Sequence, residues 1–370
     1  MLSFSHTCRR ALPCLRRLHQ CLINTAIPSR LFATMPPPRP SSSIVLLSPT
    51  NQVLLLHRVG TSSSFASAHV FPGGNLDAFH EGEDVPKAGD EGMHQDGKAY
   101  RLAAVRETFE ETGILLARGK GDSKLLEVEA DEVARQRKRV HMNEVKFVDW
   151  LESQGAVADT ENLIPFTRWI TPTNLPKRFT TQMYLYLLPI TSSSSPSSYL
   201  VPTPDGGLEH TAALFSSPQH FLTQAARGEI ILFPPQHYLL TLLSRFLPSS
   251  ATPAYGPLHY QAQREKLLQF INRVPTAETE KGKEDRTAQI PWREKTMSPR
   301  TLFVRGEDGR VVLGLEKPGP ELEGSPRGGD WERVVLVRFT KKGPVEVEVR
   351  GREEIFEEER RWKIANTEKL

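Results

Sequence analysis

Two short apolar runs, at residues 44–47 and 53–56, flank the turn-forming string Pro49-Thr50-Asn51. Runs of Ile, Val and Leu joined this way predict a β-hairpin. Val70-Phe71 predicts a further short strand, ending at Pro72-Gly73-Gly74. Residues 80–98 are polar, rich in Gly, Asp and Glu, and predict a loop. A helical period then appears over residues 100–112, where Leu102, Val105, Phe109 and Thr112 fall on one side. The charged stretch 125–152 predicts two helices. β-branched and aromatic residues at 163–170 and 179–188 predict strands. Residues 192–204 are a low-complexity loop. Helices are predicted over 218–227, 236–246 and 260–273, a polar linker over 275–289, and strands in the tail from 301 to 349, as in Arg310-Val311-Val312-Leu313. There is no internal repeat. Strands and helices mix without regular alternation, which predicts an α+β class with a mixed β-sheet in an α/β/α sandwich.

Composition divides this pattern into regions. Residues 1–35 hold arginines and no acidic residue, the first acid in the chain being Asp77. Arg9, Arg10, Arg16 and Arg17 share one helical face, opposite Phe4, Ala11, Leu15, Leu18 and Leu22. An amphipathic, arginine-rich leader of this kind predicts mitochondrial import. The terminal Glu368-Lys369-Leu370 is a near miss to a peroxisomal address, with Glu in place of a small residue, so the peroxisome ranks second. Removing the five arginines of residues 1–32 takes the net charge from +3 to −2, so the basic balance of the full chain does not imply a nucleic-acid partner. All three cysteines, Cys8, Cys14 and Cys21, lie in the leader, which excludes thiolate chemistry and disulfides from the remainder. No run of about 18 apolar residues predicts a membrane span. A main domain over 36–250, a helix and polar linker over 251–290 and a β-rich extension over 291–370 complete the division.

The chemistry concentrates on the helix at 100–112. Glu107, Glu110 and Glu111 stand at i, i+3 and i+4, the latter two each within about 60° of Glu107 and all three opposite the apolar stripe. Like charges at this spacing destabilise a helix by a few tenths of a kcal/mol per pair. A hard divalent cation such as Mg²⁺ or Mn²⁺, which takes oxygen ligands, removes that cost. Arg106 stands beside the cluster and can hold one carboxylate, and Gly113 suits a left-handed C-cap. Taken alone, three glutamates on one face more often describe a solvated helix surface.

The neighbouring residues decide between these readings. Arg106-Glu107-Thr108-Phe109-Glu110-Glu111-Thr112-Gly113-Ile114 resembles the second half of the Nudix box, R-E-x-x-E-E-x-G-U, at every defined position. Val70-Phe71-Pro72-Gly73-Gly74 resembles the strand and Gly-Gly turn that open it. The departure is in spacing: Gly74 to Arg106 spans 32 positions against 14 in the family pattern, so about 18 residues are inserted. His80 stands where the first-half glutamate is expected, with Asp77, Glu81 and Glu83 nearby, and which acid replaces it stays open. The inserted box, Ala68-His69 before it, Arg58 upstream, and Arg168-Trp169-Ile170-Thr171-Pro172 and Pro176-Lys177-Arg178-Phe179 downstream resemble the acyl-coenzyme A diphosphatase branch over roughly residues 42–247.

The resemblance implies a Nudix fold and metal-assisted cleavage of a P–O–P bond, with Glu107, Glu110 and Glu111 as ligands of Mg²⁺ or Mn²⁺. Gly73 and Gly74 would let substrate approach the backbone. The implied substrate is coenzyme A or an acyl-CoA, giving 3′,5′-ADP and an (acyl)phosphopantetheine. Arg58, Lys177, Arg178 and His57 are candidate clamps for its phosphates. A later carboxylate such as Glu209 is a candidate base. Trp169 reads as core before it reads as a stacking platform, and His69 as a strand residue. NADH, a nucleotide sugar or a dinucleoside polyphosphate are the alternative substrates. A non-catalytic Nudix binding module is the alternative from another class.

Overall fold

The computed structural model describes residues 36–61, 66–190, 201–203, 205, 209–248 and 256–367. The arginine-rich leader, residues 192–200 of the low-complexity loop and the terminal Glu368-Lys369-Leu370 lie outside the described residues. The predicted hairpin forms from β1 (Arg39–Leu47) and β2 (Val53–Arg58). Strands β3 (His69–Val70) and β4 (Gly73–Asn75) carry the Gly-Gly turn, with β3 on β2 and β4 on the first half of β1.

The insertion is not a plain loop. Asp77 N-caps a short helix α1 (Ala78–Glu81) by accepting a hydrogen bond from the Phe79 amide, and 3₁₀ turns follow at Gly82–Asp84 and Glu91–His94. Helix α2 (Lys98–Thr112) is the box helix. It ends at Gly113, whose φ of 75° is left-handed and whose amide closes on the Phe109 carbonyl at 2.8 Å.

Strand β5 (Ala117–Gly119) leads to helices α3 (Ala130–His141) and α4 (Phe147–Ser153), then β6 (Ala156–Ala158), β7 (Ile164–Ile170) and β8 (Phe179–Leu187). Strand β9 (His210–Ser216), which the sequence pattern did not signal, pairs with β2. Helices α5 (Pro218–Ala226), α6 (Pro234–Ser244), α7 (Pro257–Asn272) and α8 (Glu280–Glu284) follow. The extension contributes β10 (Thr296–Met297) as an edge strand parallel to β7, so it joins the main sheet. Strands β11 (Arg300–Val304), β12 (Val311–Leu315), β13 (Asp330–Thr340) and β14 (Gly343–Gly351) make a second, antiparallel sheet, and helix α9 (Arg352–Thr367) ends the extension. The extension is therefore not all β.

The main sheet runs β10-β7-β8-β1-β2-β3 and is mixed, with β1 parallel to β8 and antiparallel to β2. Alternate residues of its central strands point to opposite faces. Ile44, Leu46, Tyr184 and Tyr186 pack under α2, α3 and α4 with Phe109, Phe147 and Trp150. Val45, Leu47, Met183 and Leu185 face α5–α7 and the extension, where Phe270 stacks on the fully buried Trp292 at 5.1 Å. This is the α/β/α layering expected of the α+β class. No helix among the described residues is long and apolar enough to cross a membrane.

Candidate active site

Helix α2 is buried on nearly all sides, because it lies between the main sheet and α3. Its glutamates are consequently not a solvated face: Glu110 is 9% exposed and Glu111 5%. Arg106 is the hub. Its Nε donates to Glu81 Oε1 at 2.8 Å, and its Nη1 donates to Glu107 Oε1 at 2.9 Å and Glu110 Oε1 at 2.8 Å. Its Nη2 donates to the Asn75 carbonyl. The guanidinium thus holds three carboxylates rather than one. Glu81, set by the Asp77-capped turn and accepting from the Asp77 amide, fills the place left open by the insertion, one residue after His80. His80 instead hydrogen-bonds Asn143 and the Phe147 amide.

The Gly-Gly turn meets the same helix. The Gly73 amide donates to Glu111 Oε2 at 2.8 Å. A Cβ on Gly74 would stand 2.5 Å from the Glu107 carboxyl carbon, so only glycine admits that carboxylate. From α3, His141 Nδ1 lies 3.2 Å from Glu110 Oε2. Arg137 donates to the Glu110 carbonyl through Nε and Nη2, satisfying the end of α2.

Glu111 turns the other way. Its Oε1 lies 3.6 Å from Nε2 of the fully buried His210, whose Nδ1 is 3.4 Å from Asp205 Oδ2. Among the described residues, these long contacts leave both ring nitrogens of His210 without a well-formed hydrogen bond. Glu209 precedes it, and ligand atoms of Glu111, Glu209 and His210 all lie within 4.8 Å of one another. Glu209 also receives Arg58 Nη2 at 3.2 Å.

The electrostatics record a surplus of negative charge. Burial, then its carboxylate neighbours Glu110 and Glu81, push Glu107 up to about 7 in spite of Arg106. Burial, then Glu107 and Glu209, hold Glu111 well above the ordinary carboxylate range. Glu110 runs the opposite way: hydrogen bonds from His141 and Arg106 outweigh its burial and lower it. Two buried carboxylates that resist ionisation, beside a histidine with orphaned ring nitrogens, fit a hard divalent cation. Glu111, Glu209 and His210 are placed to hold it, with Glu107 and Glu110 next to them and tied to Arg106.

The candidate phosphate clamps divide. Arg58 lies at the site, its charge acting on Glu111. His57 stacks on His69 at 4.7 Å, and Thr211 Oγ1 lies 2.7 Å from its Nδ1. Arg178 is elsewhere: its side chain is 1% exposed, and it reaches Glu321 at 2.6 Å and the Thr171 carbonyl, tying β8 to the extension. Lys177 is exposed on the same β7–β8 turn, beyond the start of β1 and two strands from the Gly-Gly turn. A buried ion pair with Glu321 removes Arg178 from the clamp set. Trp169 is a core residue bonded to Thr167. His141, Asp205 and His210 went unnoticed in the sequence, where single polar residues outside a motif carry no distinguishing signal.

A family model described as the NUDT19 Nudix domain matches residues 82–243. Putative nudix hydrolase 7 of Caenorhabditis elegans is 30% identical over 224 residues, covering 59% of this chain and 64% of that protein. Acyl-coenzyme A diphosphatase NUDT19 of Gallus gallus is 30% identical over 240 residues, covering 53% of this chain and 61% of that protein. The chain therefore spans less than two thirds of the length of these curated relatives. A Nudix hydrolase structure from Alicyclobacillus acidocaldarius is 25% identical with a TM-score of 0.44, covering 56% of this chain and 91% of that one. The box residues of α2, drawn together as described, fall within the span that the family model matches, and the chain is similar there to Nudix hydrolases of the NUDT19-like branch.

Proposed function

We propose that this protein is a metal-dependent pyrophosphohydrolase acting on coenzyme A or acyl-CoA. One observation carries the reading. The Glu111–Glu209–His210 group stands beside a buried, Arg106-held glutamate cluster and against a Gly-Gly turn. The diphosphatase relative named above supports coenzyme A as the substrate class.

In the hydrolysis, water attacks one phosphorus and the bridging P–O bond breaks, so one proton must leave the water. Glu209, whose side chain is 45% exposed and faces Glu111, would accept it through the carboxylate oxygen that a bound metal leaves unused. Arg106 keeps Glu107 and Glu110 fixed without reorganisation, and Arg58 brings a guanidinium to the same opening. Gly73 and Gly74 keep the turn free of side chains where the diphosphate must approach. A bound Mg²⁺ or Mn²⁺ would supply neutralisation of the developing phosphate charge.

Purified full chain should hydrolyse coenzyme A and acyl-CoA with Mg²⁺ or Mn²⁺ and lose that activity in EDTA. A screen that finds NADH, a nucleotide sugar or a dinucleoside polyphosphate turned over faster would overturn the substrate and leave the chemistry. The proposed compartment is the mitochondrion. Deleting residues 1–33, with the C-terminus left free, should remove the protein from mitochondria.

A further inference from the structure

A cavity of about 750 Å³ opens away from the glutamate cluster, between the insertion, the β7 edge of the main sheet and the extension. Its charges do not balance. Arg101 is spent on Asp96 at 2.6 Å, and Arg293 on Glu294 at 3.4 Å. That leaves Arg168, Lys295 and Arg327 on the lining, none with a carboxylate within ion-pair distance among the described residues.

Two of these are deeply buried. Arg168 is 3% exposed and its partners are all neutral: the Gln95 carbonyl at 2.7 Å, Gln182 Oε1 at 2.8 Å, Thr180 Oγ1 at 3.2 Å and the ring of Tyr100. Lys295 is 1% exposed and its Nζ donates to the carbonyls of Thr287 and Gly329. Burial pulls Lys295 down to about 8. His94, on the same lining, is held down to about 4, by burial first and by Arg168 next, with Arg327 and Arg178 adding to it and Glu321 opposing. A buried charge without a counter-charge costs several kcal/mol. Two such charges on one cavity, with the half-buried Arg327 beside them, therefore mark a place where an anion is missing.

We propose that this cavity is a second ligand site, which binds a phosphoryl group through Arg168, Lys295 and Arg327. Guanidinium and ammonium groups are the usual partners of phosphate oxygens. The site is separate from the glutamate cluster. Gly74, Ser42, Gln182 and Arg168 lie in one row across β4, β1, β8 and β7. At about 4.8 Å per strand, Arg168 stands roughly 14 Å from the Gly-Gly turn. Both sites share the α2 side of the sheet, so the phosphoryl group comes either from a distal part of the substrate or from a separate phosphate-bearing molecule. Only the first source rests on the proposed function.

The test is calorimetric titration of the full chain in EDTA, at fixed ionic strength, with inorganic phosphate and with 3′,5′-ADP. Saturable binding of at least one is expected, weakened at least tenfold in Arg327→Ala and retained in Glu111→Gln. Arg327 is half-buried and makes no ion pair among the described residues, so its replacement strands no buried carboxylate. Arg327→Lys should recover part of the affinity. Binding of neither probe, or equal binding by Arg327→Ala, overturns the proposal. A raised KM for coenzyme A in Arg327→Ala assigns the site to the substrate, and an unchanged KM with lost phosphate binding assigns it to a separate ligand. Coenzyme A hydrolysis without anion binding sinks this inference alone. Anion binding without hydrolysis sinks the proposed function alone.

Discussion

Two arginine–carboxylate clusters in this molecule use the same chemistry at different depths. Around Arg106, the side chains of Glu81, Glu110 and Glu107 are 0%, 7% and 15% exposed. In the extension, Arg305, Arg310 and Arg350 meet Glu307, Asp308, Glu348, Glu354 and Glu358, and those carboxylate side chains run from 26% to 59% exposed. In the extension solvent screens every pair, and three cations face five acids at little cost. At the box, one guanidinium faces three buried carboxylates with Glu111 and Glu209 close by, and protein alone leaves the charge unresolved. Charge surplus is cheap at a surface and informative in an interior.

The largest effect should come from neutralising the buried surplus where it meets the substrate. Glu110→Gln and Glu111→Gln should each reduce kcat/KM for coenzyme A by more than about tenfold, the rate equivalent of 1.36 kcal/mol, with the far-UV spectrum unchanged. Activity above a tenth of wild type in either variant would remove that residue from the working set. Next comes the hub itself. Arg106→Ala strands Glu81, Glu107 and Glu110 without their cation, which should cost about 3–5 kcal/mol of stability. Denaturant titration reads this directly. Adding Glu81→Gln to that variant should recover part of the loss, since one of the stranded charges is gone.

The surplus should also be visible in the pH dependence of the metal-free chain. Glu107 is raised to about 7, so the folded state holds its proton longer than the unfolded chain, and stability is lost as pH rises from about 4.5 through 7. Glu111 adds in the same direction. Four histidines, the buried His210 and His237 and the half-buried His69 and His94, are each pulled down to about 4 and slope oppositely below 6.5. The clean measurement is therefore the difference in Tm between wild type and Glu107→Gln in EDTA. Glu107→Gln should gain on wild type as pH rises from about 5 to 8, and Mn²⁺ should reduce that gain. A constant difference would mean that Glu107 ionises freely.

What the sequence disclosed follows the same division. The box helix was legible because its apolar stripe and its glutamates repeat at the helical period, and Gly113 marked its end. The central strands were legible from their β-branched and aromatic runs. Glu81 was not, because the path of an 18-residue insertion, rather than spacing, decides which acid returns to Arg106. The solvated-surface alternative for the glutamates failed only when α3 and the sheet closed over α2, a long-range event without a local signature. Arg178 read as a surface clamp because nothing in the sequence announces its pairing with Glu321, 143 positions later. Helix α9 was missed because its charged residues leave only Ile355 and Glu359 buried, too few to form a stripe.

The smallest effect should lie in the extension, and it is the one that tests whether depth is the deciding variable. Arg350, at the end of β14, reaches Glu354 in the first turn of α9 and Glu358 one turn on, at 2.9 Å. Glu354 sits where a helix favours negative charge even without its partner, and its side chain is 53% exposed. Arg350→Ala therefore leaves carboxylates that water can solvate. The expected cost is about 1 kcal/mol or less, which should vanish into the wild-type value as salt is raised from 0.05 to about 0.5 M. Coenzyme A turnover should not change, since Arg350 touches nothing at the box. Should Arg350→Ala instead lose as much stability as Arg106→Ala, and keep losing it at high salt, then burial does not separate the two clusters. The negative surplus at the box would then need an explanation other than a missing cation.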